Sequence, residues 1–251
     1  MDVDFSREGI IINAVKEKLL RGIYSWLVVI IVVLILRVIF VEAYVIPTAS
    51  MEKTLLIGDA LLVNRFIYGV KIPIPLSTRQ IPIIPGRMPQ HGEIVVFRYP
   101  FENRDFVKRC VAVPGDTLEI KNKVLYVNGL RVDEPYVRHA DRSIIRGVIA
   151  DNRVYQDKWE KAQLGDLIGQ QVRDNFGPVV VPRDCIFTMG DNRDNSLDSR
   201  FWGPLHKRYL KGKPLFIYFS FDPGGEVSSF IEVFKIWQWK AIRVNRIGEV
   251  I

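Results

Sequence analysis

The sequence predicts a mainly β protein, an antiparallel sheet or barrel-like assembly, with one transmembrane α-helix near its N-terminus. The β class is predicted by short runs rich in Val, Ile and aromatic residues, which fill most of the chain after residue 42 and are separated by turn residues. The helix is predicted by an apolar segment over Ile23–Val41 whose only charge is Arg37.

The apolar segment is long enough to cross a membrane. As a helix, its 19 residues (23 to 41) span about 28 Å, close to the ~30 Å hydrocarbon core of a bilayer. A buried core helix is rarely apolar on all sides over this length. A cleavable signal peptide is disfavoured because the run is too long and no small-x-small site follows it closely.

Charge on either side of the apolar segment predicts its orientation. Four basic residues precede it, whereas Lys53 is the only basic residue in the first twenty positions after it. The positive-inside rule then places the N-terminus in the cytoplasm and everything from Glu42 onward outside. Ser50 lies only nine positions after Val41, so this serine is expected near the bilayer surface. The preceding basic residues are Arg7, Lys16, Lys18 and Arg21.

These features divide the chain into a cytoplasmic segment 1–22, a transmembrane anchor 23–41 and an extracytoplasmic β-rich domain 42–251. Over 136–184 the pattern weakens and becomes polar, which predicts an elaboration inserted into a core of about 42–135 and 185–251. Prolines at 73, 75, 82, 85 and 89 indicate an edge ribbon or a loop.

Within the β-rich domain, the turn pair Asn128-Gly129 lies between VLYV and LRV and predicts a two-residue hairpin. Strands are expected at Glu93–Arg98, Phe106–Val113, Thr117–Lys121, Val124–Asn128, Val179–Val181, Ile186–Met189 and Leu215–Phe219.

Composition limits the remaining possibilities. Of 251 residues, 48% are hydrophobic and 25% charged, which excludes a disordered chain. The net charge of +7 does not by itself separate anionic lipid, nucleic acid and a solvated surface. Two cysteines, Cys110 and Cys185, are too few for a disulfide scaffold, and the three histidines are scattered. We therefore expect no metal site.

Four segments carry the candidate chemistry. IPTASMEKTLLIGD spans 46–59, GEIVVFRY spans 92–99, DFVKRCVAVPGD spans 105–116 and GDNRDNSLDSRFWG spans 190–203. In this order, and downstream of a membrane anchor, they closely resemble the signature segments of bacterial type I signal peptidases, a family of serine/lysine proteases. The resemblance covers most of residues 24–204.

The resemblance implies a membrane-anchored serine endopeptidase with a β-rich catalytic domain, which removes signal peptides from exported preproteins at the outer face of the bacterial cytoplasmic membrane. Ser50 matches the nucleophile and Lys108 the general base. The expected partners are preproteins and membrane lipid, with no cofactor, no nucleic acid and a monomeric enzyme. Supporting positions are Thr48 for the oxyanion hole and Ser196, Asp198 and Arg200 around the lysine; substrate-pocket positions are Tyr44, Ile46, Leu55, Asp105, Phe106 and Val107.

A lysine can act as a base only when it is neutral, and no histidine lies in the four segments. With a pKa near 10.4, lysine is neutral about once in 2,500 at pH 7, so the role requires a pKa lowered by roughly 3 units. Alternation places Lys108 on one strand face with Cys110 and Ala112, an apolar setting that favours the neutral amine. Arg109 is expected on the other face, in a structural ion pair with Asp198 or Asp191.

Three alternatives remain at this stage. Lys53 creates an S-x-x-K pattern with Ser50, at a position where the family often has proline. This pattern is typical of β-lactamases and penicillin-binding proteins, but their S-D-N and K-T-G segments are missing. GDNRDNSLDSRFWG alternates acidic residues with Asn like a calcium loop, although two arginines interrupt it and no Glu ends it. From another functional class, a non-catalytic membrane-anchored β module could bind peptides by strand addition.

Overall fold

The computed structural model describes residues 16–32, 41–73, 80–148, 151–165, 169–225 and 239–251. The chain divides into two compact units, Met1–Val41 and Glu42–Ile251. In the first unit, residues 16–32 form helix α1. Among the residues with a described structure, no helix combines the length and apolar character of a membrane span. Residues 33–40 of the predicted anchor lie outside the described residues, as do residues 1–15 of the predicted cytoplasmic segment.

The second unit is mainly β structure, as predicted. Helix α2 (Asn152–Glu160) and the single turn α3 (Ser199–Trp202) are its α-helices with complete described bounds. The described strands are β1 (Val41–Val45), β2 (Asp59–Asn64), β3 (Gly69–Pro73), β4 (Gln80–Pro85), β5 (Ile94–Arg98), β6 (Asp105–Ala112), β7 (Thr117–Lys121), β8 (Val124–Val127), β9 (Leu130–Arg131), β10 (Phe176–Val180), β11 (Cys185–Met189), β12 (Leu205–His206), β13 (Leu210–Asp222) and β14 (Ala241–Ile242).

The main sheet has the strand order β1-β2-β13-β5-β6-β11-β12, and β14 pairs with β13. Its registered strand pairs are antiparallel, which confirms the predicted arrangement. β13 is longer than the predicted strand Leu215–Phe219. Gly212 and Pro214, which disfavour strand structure in a sequence, both lie within it. The structure accommodates them where the register shifts, between Leu210 and Gly212 against β5 and between Pro214 and Phe216 against β2.

Two smaller sheets accompany the main one. The first has the order β10-β7-β8-β9, and its Val127↔Leu130 pairing confirms the predicted hairpin. Asn128 and Gly129 both have positive φ, 53° and 77°, as the tight turn requires. β10 lies within the segment predicted as an insertion and pairs with β7. In the second sheet, β3 and β4 form the proline-rich ribbon.

Three hydrophobic clusters pack against these sheets, and β6 contributes to each of them. Cys110 belongs to the cluster around Phe97 and Trp202, whereas Ala112 belongs to the cluster beneath the smaller sheet and α2. Val107 packs against the third. β6 is therefore covered on both faces from Lys108 onward, so a polar side chain there is removed from water. The third cluster consists of Ile46, Met51, Leu55, Leu61, Val63, Ile94, Val96 and Ile217, with Tyr44, Val107 and Ile251 packed against it.

Candidate active site

Ser50 lies in a 3-10 turn, Ala49–Met51, shortly after β1. The buried side chain of Met51 fixes one side of this turn in the third cluster. On the other side, the backbone N–H of Asn192 donates to the Ser50 carbonyl at 3.1 Å, and its side-chain Nδ2 donates to the Ala49 carbonyl at 3.1 Å. The half-buried Ser50 is thus held between the core and the loop after β11.

Lys108 reaches this serine from β6. Its Nζ donates to Ser50 Oγ at 2.5 Å, and the residue is only 4% exposed. Burial lowers the pKa of Lys108 to about 8, an effect that the charges of Asp198 and Asp191 oppose and that of Arg200 assists. An amine with this pKa is neutral in a useful fraction near neutral pH, and it is in contact with a hydroxyl.

Arg109 is engaged by Asp191, one of the two partners expected from the sequence. Its Nε and Nη2 donate to the two Asp191 oxygens at 2.8 and 2.6 Å, and its Nη1 donates to the Gly92 carbonyl at 2.7 Å. Thr54 Oγ1 donates to the same carboxylate at 2.5 Å. The pair therefore links β6 to the segment that follows Ser50.

Asp198 and Arg200 form a separate buried pair with two parallel hydrogen bonds of 2.8 Å. Arg200 also donates to the carbonyls of Arg173 and Arg193, each at 2.7 Å. Although burial opposes ionisation, Arg200 keeps the pKa of Asp198 below its usual range. These bonds satisfy both ions and place a fixed negative charge near Lys108.

The two predicted supporting hydroxyls occupy different surroundings. Thr48 is exposed, and its Oγ1 lies 3.4 Å from Ser50 Oγ. The Oγ of Ser196 is buried, and its hydroxyl is close enough to the Asp198 carboxylate to help lower the pKa of that group. It lies beside Gly190, where an added Cβ would be 2.3 Å from Ser196 Oγ and 2.4 Å from the Ser50 carbonyl oxygen.

Lys53 is directed away from Ser50. Its Nζ donates to the carbonyls of Pro135 and Val137, the latter at 3.3 Å. Its φ of 96° lies in a region that proline cannot adopt. Lys53 therefore joins the turn that contains Ser50 to the segment after β9, and this arrangement does not favour Lys53 as a base.

The six predicted pocket positions fall into two groups. Ile46 (2% exposed), Leu55 (0%) and the half-buried Tyr44 and Val107 meet in the third cluster beside Ser50. The other two positions have different neighbours. Phe106 stacks on Tyr99 at 4.5 Å, and its ring centroid lies 5.3 Å from Lys108 Nζ. Asp105 pairs with Arg98 and Lys211, each at 2.7 Å.

The segment GDNRDNSLDSRFWG does not resemble an open calcium loop in its contacts. Each of its three carboxylates already has a cationic partner: Asp191 has Arg109, Asp198 has Arg200, and Asp194 has Lys123 at 2.8 Å. Sequence reasoning missed Asn192, which holds the turn that contains Ser50. Its only signal was its place inside a conspicuous segment, because nothing in the local pattern indicates that its backbone N–H and side-chain amide bond residues 50 and 49.

Comparison with known proteins now identifies the family. A family model described as signal peptidase, peptidase S26, matches residues 19–219. The chain belongs to the peptidase S26 family. Family membership confirms the resemblance found in the four segments and makes this S26 chain a peptidase, a hydrolase of peptide bonds.

Two sequence relatives from this family are signal peptidases I. A signal peptidase I of Pseudomonas aeruginosa is 39% identical over 216 residues, which cover 79% of this chain and 72% of the relative. One from Buchnera aphidicola subsp. Schizaphis graminum is 32% identical, with 96% of this chain and 86% of the relative covered. A crystal structure of a signal peptidase I from Enterococcus faecalis matches with 25% identity and a TM-score of 0.36, covering 51% of this chain and 97% of its own.

Proposed function

We propose that this peptidase cleaves N-terminal signal peptides from exported preproteins with a catalytic dyad of Ser50 and Lys108. The observation that carries the proposal is the 2.5 Å contact between Lys108 Nζ and Ser50 Oγ. Burial lowers the pKa of this lysine to about 8. Signal peptide cleavage as the reaction comes from the relatives' name, signal peptidase I.

In the acylation step, neutral Lys108 takes the proton of Ser50 as Oγ attacks the scissile carbonyl carbon. The bond from carbon to nitrogen then breaks, and Lys108 returns the proton to the leaving amine. In deacylation, Lys108 takes a proton from water, the hydroxide attacks the ester, and Ser50 leaves with the proton. No other proton carrier is required.

The developing oxyanion needs hydrogen-bond donors placed beforehand. We assign this role to the Ser50 backbone N–H and the Thr48 hydroxyl, which is exposed and 3.4 Å from Ser50 Oγ. Its β-methyl group restricts the available rotamers. We assign to Ser196 the role of holding the Lys108 amine, and to Asp198 and Arg200 a supporting role through the charges that act on its pKa.

The substrate is proposed to bind as an extended chain with small side chains at the first and third positions before the cleaved bond. The pockets that receive these side chains would be lined mainly by large apolar residues. The lining positions are Tyr44, Ile46, Leu55, Asp105, Phe106 and Val107. The tight packing of Ile46 and Leu55 supports shallow pockets that admit Ala and exclude Phe.

We further propose that residues 23–41 anchor the enzyme in the bacterial cytoplasmic membrane as a single span, with residues 1–22 in the cytoplasm. The domain 42–251 would then act on the outer face. It would consist of a core of about 42–135 and 185–251 and the elaboration 136–184. The apolar sequence and the basic residues before it support this topology.

The deciding experiment measures cleavage of a preprotein by detergent-solubilised full-length chains. Ser50→Ala and Lys108→Ala should each reduce turnover by on the order of 10³-fold or more, and the double variant should be no worse than either alone, because the two groups act as one unit. Lys53→Met is the matched control and should keep turnover within about threefold. Cleavage that survives Ser50→Ala would instead support the non-catalytic peptide-binding module, with the activity due to a contaminant.

A further inference from the structure

The C-terminal residues return to the segment that follows the nucleophile. Their backbone pairs with β13: Gly248 donates to the Ile217 carbonyl at 2.8 Å, Ile217 to the Glu249 carbonyl at 2.9 Å, and Ile251 to the Leu215 carbonyl at 3.0 Å. The side chain of Ile251 packs against the cluster that contains Ile46 and Leu55. The tail is therefore built into the second unit beside the proposed pocket.

Arg246 makes the densest set of polar contacts in this tail. Its Nη2 donates to Asp59 Oδ2 at 2.7 Å and to the Thr54 carbonyl at 2.9 Å, and its Nε lies 3.1 Å from Asp59 Oδ1. Asp59 is completely buried. A guanidinium can serve a carboxylate and a carbonyl at once because its donors are fixed in a planar fork.

Asp59 in turn closes the segment 54–59. Its Oδ2 accepts the Leu56 N–H at 2.7 Å, and its Oδ1 accepts the Ser220 hydroxyl at 2.7 Å. The Asp59 carbonyl accepts the Ile46 N–H, and the Ile46 carbonyl accepts the Gly58 N–H, both at 2.9 Å. The residue whose carboxylate Arg246 neutralises therefore also pairs with Ile46 through its backbone.

The same segment begins at the nucleophile turn. Leu55 and Thr54 donate their backbone N–H groups to the Met51 carbonyl at 2.8 and 3.1 Å. Arg243, three residues before Arg246, donates to the Ile57 carbonyl at 3.0 Å and lies 3.8 Å from Asp59. It supports the segment from one side, but Arg246 alone of the two bridges Asp59 and Thr54.

We infer that Arg246 is a positioning residue, which sets the substrate selectivity of the peptidase by holding the 54–59 segment, and with it Leu55 and Ile46, against the pocket. This inference rests on the proposed function, because it assigns these two side chains to the pocket wall. Without Arg246, the buried Asp59 carboxylate loses its best-placed cation and the Thr54 carbonyl loses its donor. The segment then loosens, and the pocket discriminates less between small and larger side chains.

The test compares kcat/KM for two peptides that differ only in Ala or Val before the cleaved bond. Their ratio does not depend on the fraction of folded enzyme. In the full-length chain, Arg246→Met should lower the Ala/Val ratio at least about fivefold, and Arg246→Lys should restore part of it. Leu125→Ala, a core truncation in the smaller sheet, is the matched control. It should lower Tm and leave the ratio unchanged.

Hydrogen exchange gives a readout that does not depend on catalysis. The peptide covering 52–59 should exchange faster in Arg246→Met than in the wild type, whereas residues 117–131 should not change. If Arg246→Met does not fold, Arg246→Lys carries both comparisons. An unchanged ratio or unchanged exchange at 52–59 would overturn the inference. Loss of the Ser50 dependence of cleavage would overturn the proposed function, and the exchange result would remain interpretable.

Discussion

At the scale of single residues, the proposed chemistry depends on one lysine that the fold keeps out of water. Lys108 lies in β6 where both faces are covered, and burial dominates the causes that lower its pKa. Two carboxylates nearby reduce that effect, but each is already paired with an arginine. Burial therefore lowers the pKa of the amine beside Ser50 even though two carboxylates lie nearby.

The first prediction concerns pH. In the proposed dyad only neutral Lys108 accepts the serine proton, so kcat/KM should be half-maximal near pH 8, the pKa of this lysine. It should fall about tenfold per pH unit below that. Asp198→Asn removes a charge that raises this pKa, and should move the midpoint about one unit lower. Glu119→Gln, at a remote surface pair, should not move it. A midpoint near pH 4 or above pH 10 would contradict a buried lysine base.

The second prediction separates stability from activity at the same residue. The pKa of Lys108 is lowered from 10.5 to about 8 on folding, so its protonated form destabilises the native state fully below pH 8. Lys108→Met should abolish turnover yet raise the free energy of unfolding at pH 7 by up to about 3 kcal/mol. Urea titrations should show this gain shrinking as pH rises from 8 to 10.5. A loss of stability at pH 7 would show that burial of the ammonium is not the dominant cost.

At the scale of elements, the site depends on a close approach between the loop after β11 and the turn that carries Ser50. Gly190 lies where that loop begins, and Asn192 bonds the turn two residues later. Backbone atoms and the Ser196 hydroxyl fill the space next to Gly190. The absence of a side chain at this position allows the two segments to meet.

The third prediction follows from this contact. Gly190→Ala places a Cβ 2.3 and 2.4 Å from its neighbours, which requires a backbone shift at Ser50. We expect kcat to fall by on the order of 10²-fold, because small displacements of a nucleophile are costly. Gly115→Ala is the control: it has a φ of 90° but no atom within 4 Å of the added Cβ. It should cost about 1 kcal/mol of stability and leave kcat unchanged. Equal losses of kcat in both variants would contradict the argument.

At the scale of the whole molecule, the described hydrophobic clusters lie entirely within the second unit. Its sheets bring the N-terminal segment 46–59, the loop 190–203 and the C-terminal tail to one place, although they are far apart in sequence. Ion pairs hold these parts in place: Arg246 of the tail pairs with Asp59, and Arg109 of β6 pairs with Asp191 of the loop.

The fourth prediction concerns removal of residues 1–41. Because the described part of residues 1–41 contributes to none of these clusters, a chain of residues 42–251 should keep its Tm within about 2 °C and cleave a short soluble peptide within about threefold of the full-length rate. Only the full-length chain should sediment with vesicles if 23–41 is the anchor. Cleavage assays and vesicle sedimentation on the same two proteins check both parts. A fragment that unfolds would show that the first unit contributes to the stability of the second.

The sequence by itself determined the β class and the hairpin at Asn128-Gly129, because alternation and turn residues reflect local backbone preferences. Its resemblance to a known family indicated the four candidate segments. It also supplied the hypothesis of a serine with a lysine base. Only the tertiary structure decided that Asp191 is the partner of Arg109, that Lys53 turns toward Pro135 and Val137, and that Asn192 and Arg246 hold the nucleophile segment. Periodicity shows on which face of a strand a side chain lies. It does not show which elements, distant in sequence, pack over that face. The lowered pKa of Lys108 depends on that covering, since desolvation arises from all the elements packed around the amine.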